Sequence, residues 1–308
     1  MTTTSWPKIA VVGAGAVGGY FGGMLARAGA PVVLIGRPAF AEAVNREGLL
    51  LDTTTFREHI RAQASAELSA ARGAELVLFC VKTTDTASTA RELAGIVAPG
   101  AVIVSLQNGV DNAEQIAAAS GLHALPAAVY VAASVPAPGT VKHGGRGDLV
   151  LGPPSDTTRR IASLFEQAGV PVRISENISG ELWTKFTGNC GMNAVSALGQ
   201  ITYGNIAASA EARQLVERLT YEVLAVASAA GIVLPAFADP QAAFAMSMKI
   251  AAQLTNTYSS TAQDMARRKK TEIDSLNGYI VRKGRELGVP TPINETVFTL
   301  VKLAEASF

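Results

Sequence analysis

Lys8-Ile-Ala-Val-Val-Gly-Ala-Gly-Ala-Val-Gly-Gly19 decides the fold, and the apolar run Val32-Val-Leu-Ile-Gly-Arg37 follows it. The pattern predicts a buried strand, a tight turn, a helix and a second strand. Gly13, Gly15 and Gly18 have the G-x-G-x-x-G spacing of a dinucleotide-binding turn. In such a turn the first glycine permits the bend, the second lets a pyrophosphate approach the backbone, and the third brings helix and strand together. The alternative is a glycine-rich packing turn without a ligand.

The start of the predicted helix offers backbone N–H groups and a positive dipole end to the phosphates of a ligand. The end of the second strand reads Ile35-Gly36-Arg37 and lacks the carboxylate that binds the ribose 2′-hydroxyl in NAD sites. A guanidinium is suited to a 2′-phosphate, so the sequence predicts NADP(H). An ordinary solvated arginine at a strand end is the alternative. The expected cofactor-binding residues of this region are Gly13, Ala14, Gly15, Ala16, Val17, Gly18 and Arg37.

The composition of the chain bounds its class. The 308 residues exceed one typical domain, and 48% of them are hydrophobic against 17% charged. The net charge of +1 gives no electrostatic footprint for nucleic acid. Cys80 and Cys190 show neither disulfide nor metal-ligand spacing, which favours the cytoplasm. Glycines and a proline interrupt the apolar residues 9–35, so we expect no membrane segment.

Strand and helix patterns alternate over residues 1–176, and this alternation predicts an α/β domain with a Rossmann-like doubly wound sheet. An additional hairpin is expected from Gly48–Asp52 and Arg57–Ala62. The expected strands are Lys8–Val12, Val32–Gly36, Glu75–Val81, Ala101–Ser105, Gly147–Leu151 and Val170–Ile174, and the expected helices are Ala16–Ala28, Thr84–Ile96, Asn112–Ala119 and Thr157–Ala168.

Residues 177–308 carry helical patterns with few strand signals, and we expect an all-helical second domain there. A substrate is expected in the crevice between the two domains, at the carboxyl ends of the strands. The helices predicted for this domain are Ile178–Leu198, Ala207–Ala230, Pro240–Arg268, Glu272–Leu287 and Glu295–Ala306.

A polar stripe runs along the first of these helices. At helical spacing Lys185, Asn189, Asn193 and Ser196 fall within an arc of about 80° among mostly apolar or small neighbours. Asparagine is a poor helix former that a solvated face does not need, so this stripe favours function over plain exposure. A lysine ammonium is a suitable general acid for an alkoxide that develops during carbonyl reduction.

Two further regions are candidates. Lys82 and Asn108 each follow a predicted strand at its carboxyl end, where ligands bind in doubly wound sheets. Thr271 and Asp274 have the spacing of a capping box, which predicts a helix start with Glu272 in its first turn. From the residues alone, Glu272 is equally well explained by the helix dipole, and Ser260 is equally ambiguous.

Together these motifs resemble the ketopantoate reductase family, over nearly the whole chain. The resemblance rests on the glycine turn, on Asn108-Gly109, on Glu181-Leu-Trp-x-Lys185-x-x-x-Asn189-Cys-x-x-Asn193, and on Ser259-Ser-x-x-Gln-Asp264 leading to Thr271-Glu-Ile-Asp-x-x-Asn-Gly278. It implies a helical C-terminal domain similar to that of 6-phosphogluconate dehydrogenase. It also implies NADPH-dependent reduction of 2-dehydropantoate to (R)-pantoate, in pantothenate and coenzyme A synthesis.

The same resemblance implies roles for individual residues. Lys185 matches the proton donor, and Glu272 matches an active-site glutamate that contacts cofactor or substrate. Asn108 matches a residue near the nicotinamide ribose that also serves the substrate, and Lys82 matches a neighbour of the cofactor. The residues that match substrate-holding positions are Asn189, Asn193 and Ser260.

The chain departs from the family pattern at two positions. Tyr203 lies in a region where some members carry a substrate-binding asparagine, and Thr257 stands where another asparagine is expected. The 2-oxo acid is therefore open: a related NADP-dependent reductase of another 2-oxo or 3-hydroxy acid is the nearest alternative, and a non-catalytic NADP(H) sensor is a more distant one. The expected partners are a small 2-oxo acid and a second copy of the chain in a homodimer, with no nucleic acid, membrane or metal.

Overall fold

The protein folds into two compact units, the first extending to Ile178 and the second running from Ser179 to Phe308. The structure, a computed structural model, describes residues 5–237 and 239–308. Residues 1–4 of the expected first domain and residue 238 of the second lie outside the described residues.

Six parallel strands form the centre of the first unit. They are β1 (Ile9–Val12), β2 (Val32–Ile35), β5 (Gln63–Ser65), β6 (Leu76–Phe79), β7 (Val102–Ser105) and the first residues of β8 (Ala124–Ala137). Their spatial order is β5-β2-β1-β6-β7-β8. Taken in chain order this is 3-2-1-4-5-6, the order of a Rossmann fold. The predicted α/β class is confirmed.

The sheet continues through β3 (Leu49–Asp52), β4 (Arg57–Ile60), β9 (Thr140–Leu151) and β10 (Val172–Ile174). The predicted hairpin is present, since β3 and β4 pair antiparallel. The long antiparallel pair β8–β9 was not expected beyond residues 147–151. Its prolines and glycines resemble strand breakers, but in the structure the register shifts at irregularities along this pair accommodate them.

Helices cover both faces of this sheet. They are α1 (Ala16–Arg27), α2 (Pro38–Glu47), α3 (Thr86–Ala94), α4 (Asn112–Ser120) and α5 (Asp156–Gln167). Val11 faces one buried cluster with α1 and α5, whereas Val12 faces a second cluster with α3 and α4. Both faces of the central strands are therefore buried, which explains their continuous apolar runs. α2 was not predicted.

The second unit is helical, as predicted, and no strand occurs in residues 179–237 or 239–308. Its helices are α6 (Ile178–Gly199), α7 (Tyr203–Ala208), α8 (Ala210–Ala229), α9 (Pro240–Gln253), α10 (Ser260–Ala266), α11 (Asn277–Leu287) and α12 (Pro292–Glu305).

The single helix predicted over Pro240–Arg268 is wrong. α9 ends at Gln253, and α10 starts only at Ser260. The carbonyls of Thr255 and Thr257 accept hydrogen bonds from the first amides of α7 at 3.1 and 2.9 Å. The buried Ser259 side chain then caps α10 by accepting from Ala262 N at 3.0 Å. Contacts distant in sequence therefore break a pattern that is locally helical.

The predicted capping box at Thr271 and Asp274 is also wrong. Glu305, at the end of α12, accepts from both the amide and the hydroxyl of Thr271, at 2.7 and 2.6 Å. Asp274 instead pairs with Lys302 at 2.7 Å. The chain forms a short 3-10 turn at Ile273–Ser275, with Glu272 at its N-cap, and α11 begins at Asn277.

Among the described residues, no helix combines the length and the apolar character that a bilayer crossing requires.

Candidate functional site

The turn between β1 and α1 leaves no room for side chains at two glycines. Gly13 has φ +95°, and a Cβ there would lie 2.6 Å from Val81 N, two residues after the end of β6. At Gly18 a Cβ would lie 2.5 Å from Gly13 O and 2.9 Å from Val11 Cγ1. These two glycines hold the turn against the carboxyl ends of β1 and β6, as their sequence positions predicted.

Gly15 differs, because a Cβ on it would meet no protein atom within 4 Å. It is the N-cap of α1, and no side chain caps this helix. The amides of Ala16, Val17 and Gly18 donate to no acceptor in the part of the chain that the structure describes. An open backbone surface with unpaired N–H groups at a helix start fits an anionic phosphate ligand.

Arg37 follows β2 by two residues and is the N-cap of α2. A Cβ on the preceding Gly36 would lie 3.3 Å from Ala14 Cβ, and the amides of Gly13 and Ala14 both donate to Ile35 O. The Arg37 side chain is exposed and has no ion pair or hydrogen bond with any described residue. Its guanidinium therefore remains available to an anionic group bound near the turn.

The loops after β6 and β7 meet at the same edge of the sheet. Thr83 Oγ1 donates to Asn108 O at 3.3 Å, and Asn112 Nδ2 donates to the same oxygen at 2.7 Å. Lys82 precedes Thr83, so the structure brings the loops of Lys82 and Asn108 together. Both side chains are half-buried.

Gln107 connects the residues that follow β6 with the loop after β7. Its side chain is 6% exposed and donates to Val81 O at 3.0 Å and to Thr86 Oγ1 at 2.7 Å. It thus joins the two loops through one amide. Gln107 was not predicted from the sequence, although a glutamine directly after an apolar strand is a signal for such a role.

In the second unit α6 carries the polar stripe on one continuous helix. Lys185 and Asn189 are half-buried, and Asn193 is 3% exposed. No described residue hydrogen-bonds to the Asn189 side chain. Ser196 lies on the same stripe but is fully buried and donates to Ile201 O at 2.7 Å, so it closes the end of α6.

Ser260 is brought to this helix by its neighbour. Ser259 Oγ donates to Asn193 O at 3.1 Å, and Ser259 N donates to Ser196 Oγ at 3.2 Å. Ser260 follows as the first residue of α10, and its exposed hydroxyl contacts no described residue through a hydrogen bond. The structural residue Ser259 was not singled out from sequence, although Ser at an N-cap is the expected residue type.

The Glu272 segment is also joined to α6. Asn277, at the start of α11, donates to Cys190 O at 2.9 Å. Tyr279 packs edge-on against Trp183 and Phe186, with ring centroids 6.0 and 5.7 Å apart. These contacts fix the segment that follows Glu272 against the apolar side of α6. Glu272 itself is half-buried.

A metal centre has no basis in the described residues, since no group of three His, Cys, Asp or Glu side chains there could hold an ion. Both cysteines are free thiols, and burial raises the pKa of Cys190 well above its usual value.

Two family models match the chain. The model described as ketopantoate reductase PanE/ApbA matches residues 9–156, and the model of its C-terminal part matches residues 177–305. The chain belongs to the ketopantoate reductase family. It is therefore an oxidoreductase of this type.

Relatives match over the whole length of the chain. The 2-dehydropantoate 2-reductase of Halobacterium salinarum is 30% identical, over 97% of this chain and 99% of that protein. The one of Pyrobaculum aerophilum is 32% identical, over 96% and 97%. A ketopantoate reductase structure from Ralstonia eutropha JMP134 is 44% identical with a TM-score of 0.91, covering 97% of this chain and 98% of that one.

The same fold occurs in a dehydrogenase with a different name. D-mandelate dehydrogenase in complex with NADH and anilino(oxo)acetate superposes with a TM-score of 0.89 at 23% identity, covering 97% of this chain and 98% of that one. At this identity the similarity establishes the common fold alone.

Proposed function

We propose that the protein reduces 2-dehydropantoate to (R)-pantoate with NADPH, and so serves pantothenate and coenzyme A synthesis. The observation that carries this proposal is the polar stripe Lys185, Asn189 and Asn193 on α6, joined through Ser259 to the start of α10. A lysine with neighbouring amide donors suits an anionic 2-oxo acid, and membership of the ketopantoate reductase family supports the choice.

The first unit binds the cofactor in this proposal. The open backbone at Gly15 and the free amides of α1 receive the pyrophosphate. Arg37 receives the 2′-phosphate, which supports NADP(H) over NAD(H), since no carboxylate follows β2 and the guanidinium has no protein partner among the described residues. Lys82, Asn108 and Glu272 are proposed as further cofactor contacts.

NADPH, when bound, would supply the hydride that reduces the C2 carbonyl carbon. As the C=O bond becomes a C–O single bond, negative charge develops on the oxygen. The Lys185 ammonium donates a proton to this oxygen and stabilises its charge, and the resulting neutral amine regains a proton from solvent.

The remaining side chains hold the substrate. Asn189 and Asn193 offer amide groups from successive turns of α6, and Ser260 offers a hydroxyl from α10. Asn108 is proposed to contact both cofactor and substrate. Glu272 is proposed as a second catalytic residue that orients substrate or cofactor.

Another branched 2-oxo acid is the second candidate substrate, because Tyr203 occupies a region where some members of the family have an asparagine. The Tyr203 hydroxyl lies 2.9 Å from Oδ1 of Asn193, which is a proposed substrate-binding residue. A substitution at this place changes the contacts with the substrate rather than the reacting carbonyl.

The test follows NADPH absorbance when the purified protein is mixed with 2-dehydropantoate, with pyruvate and 2-oxoisovalerate as controls. We expect fast oxidation with 2-dehydropantoate alone. Faster turnover of another 2-oxo acid would replace the substrate but keep the reaction. NADPH binding without turnover of any 2-oxo acid would contradict the proposal and favour a cofactor sensor.

A homodimer is also proposed. Large apolar side chains are exposed along and after α12, with Leu303 64% and Phe308 44% exposed. A structural neighbour from Staphylococcus aureus is described as a dimeric ketopantoate reductase. Light scattering on a size-exclusion column measures the mass, and a monomer at micromolar concentration would contradict it. The proposed compartment is the cytoplasm, as the two unpaired cysteines suggest.

A further inference from the structure

The phenol of Tyr203 contacts the side chain of a proposed substrate residue. Tyr203 is the first residue of α7, and its Oη lies 2.9 Å from Asn193 Oδ1. Asn193 is 3% exposed, so little water competes for this hydrogen bond. Burial raises the pKa of the Tyr203 phenol, which therefore keeps its proton at neutral pH.

The phenol proton determines which way the Asn193 amide faces. No other acceptor among the described residues hydrogen-bonds to Tyr203 Oη. An amide nitrogen carries two protons and accepts none, so only the amide oxygen can receive the phenol proton. With the amide reversed, Nδ2 could donate to Oη, but the phenol proton would then lack an acceptor among the described residues. Because an unpaired donor shielded from water costs free energy, Oδ1 faces Tyr203 and Nδ2 points elsewhere.

The amide nitrogen of Asn193 remains available for a ligand. It donates to no acceptor in residues 5–237 and 239–308. The nitrogen also keeps some contact with solvent. One turn earlier on α6, the Asn189 side chain likewise has no described partner. An acceptor from outside the protein can therefore reach Asn193 Nδ2.

The backbone of Tyr203 is itself held in place. Its amide donates to Thr257 O at 2.9 Å, and the next amide, of Gly204, donates to Thr255 O at 3.1 Å. The loop that carries Thr257 leads to Ser259, whose hydroxyl donates to Asn193 O at 3.1 Å. The two residues that depart from the family pattern, Tyr203 and Thr257, are thus joined by a backbone hydrogen bond.

We propose that Tyr203 is a positioning residue that fixes Asn193 as a hydrogen-bond donor toward an acceptor oxygen of the substrate. The inference rests on the proposed function and deepens it. An asparagine free to turn could present either its oxygen or its nitrogen to the substrate, whereas Asn193, with its oxygen held toward Tyr203, presents its N–H. The substrate atom that it meets is an oxygen with a free lone pair, in a carboxylate, a carbonyl or a hydroxyl acting as acceptor.

The test is a double-mutant cycle of Tyr203→Phe and Asn193→Ala, with Tyr221→Phe as the matched control. Tyr221→Phe also removes hydroxyl contacts, to Glu217 at 3.0 Å and to Gln241 at 2.7 Å, but Tyr221 lies exposed on α8. We expect Tyr203→Phe to raise KM for 2-dehydropantoate about tenfold, the value of one hydrogen bond near 1.4 kcal/mol. Its kcat and NADPH affinity should change much less. In the Asn193→Ala background, Tyr203→Phe should leave KM unchanged.

Thermal and urea unfolding of the wild type, the two single variants and the double variant, without substrate, measures whether the two side chains are coupled in the folded state. The positioning role would be overturned if Tyr203→Phe raised KM equally in both backgrounds, or if its effect on the free energy of unfolding were the same in both. Neither result would affect the proposed reaction. If the wild-type protein reduces no 2-oxo acid, the proposed function falls, and this role falls with it. If Asn193→Ala unfolds at the assay temperature, Asn193→Ser takes its place.

Discussion

The glycine turn after β1 and the polar stripe of α6 differ in whether the backbone or the side chains are proposed to contact the ligand. At the turn, the proposed cofactor contact requires the absence of side chains, since the backbone of Gly13–Gly18 itself would form the binding surface. On α6 the backbone is a regular helix, and the proposed site consists of exchangeable side chains such as Lys185 and Asn189. We therefore expect changes at the turn to alter folding or cofactor binding, and changes on the stripe to alter turnover while the fold survives.

Replacing Lys185 should produce the largest effect. We expect Lys185→Ala to lower kcat by about 10²- to 10⁴-fold, the usual contribution of a general acid, while the affinity for NADPH is unchanged. Stopped-flow absorbance and fluorescence titration measure the two quantities. Lys185→Arg keeps the charge but is a poor acid, so its kcat should also stay far below the wild-type value. Full activity of either variant would remove Lys185 from the proton step.

The glycine turn offers a matched pair of substitutions. Gly13→Ala combines a positive φ with a close backbone contact, and we expect it to lower the free energy of unfolding by about 3 kcal/mol. Gly15→Ala places its methyl group in open space, so unfolding should change by less than about 0.5 kcal/mol. Its affinity for NADPH should nevertheless fall at least about tenfold, because the methyl group occupies the approach of the phosphates. If Gly15→Ala binds NADPH normally, the turn does not carry the pyrophosphate.

Arg37 tests whether a side chain adds specificity to the backbone site. We expect Arg37→Ala to weaken NADPH binding about 10- to 100-fold, as the loss of a charge-assisted contact implies, and to leave NADH binding unchanged. Arg61→Ala, an exposed arginine without a described partner at the amino-terminal side of β5, is the control. An unchanged preference for NADPH over NADH in Arg37→Ala would refute the 2′-phosphate contact.

What the sequence could predict differs between the same two regions. The turn is specified by residues that are close along the chain, so its strand, glycines and helix follow from local pattern. The lysine and asparagines of α6 are also placed by helical spacing alone. Their neighbours are not: Tyr203 and Ser259 reach Asn193 from 10 and 66 residues away. The capping-box prediction was wrong for the same reason, because Glu305, 34 residues away, accepts the hydrogen bond from the Thr271 amide.

The smallest expected effect concerns another contact that is distant in sequence, an ion pair in the segment around Glu272. Lys302 on α12 pairs with Asp274 at 2.7 Å, with both side chains 42% exposed. The Asp274 hydrogen bond, opposed by partial burial, raises the pKa of Lys302 above its usual 10.5. A raised pKa in the folded state means that the pair stabilises the fold below pH 10.5 and that this contribution is lost as pH rises through the folded value.

We therefore expect Lys302→Met to lower the free energy of unfolding by about 0.5 kcal/mol at pH 8, as for an exposed pair. The difference from wild type should shrink above pH 10.5. Urea unfolding at several pH values measures it, with Lys249→Met, an exposed lysine without a described partner, as the control. A difference that stays constant across this range would show that α12 holds the Glu272 segment through Glu305 and packing, without help from the Lys302 charge.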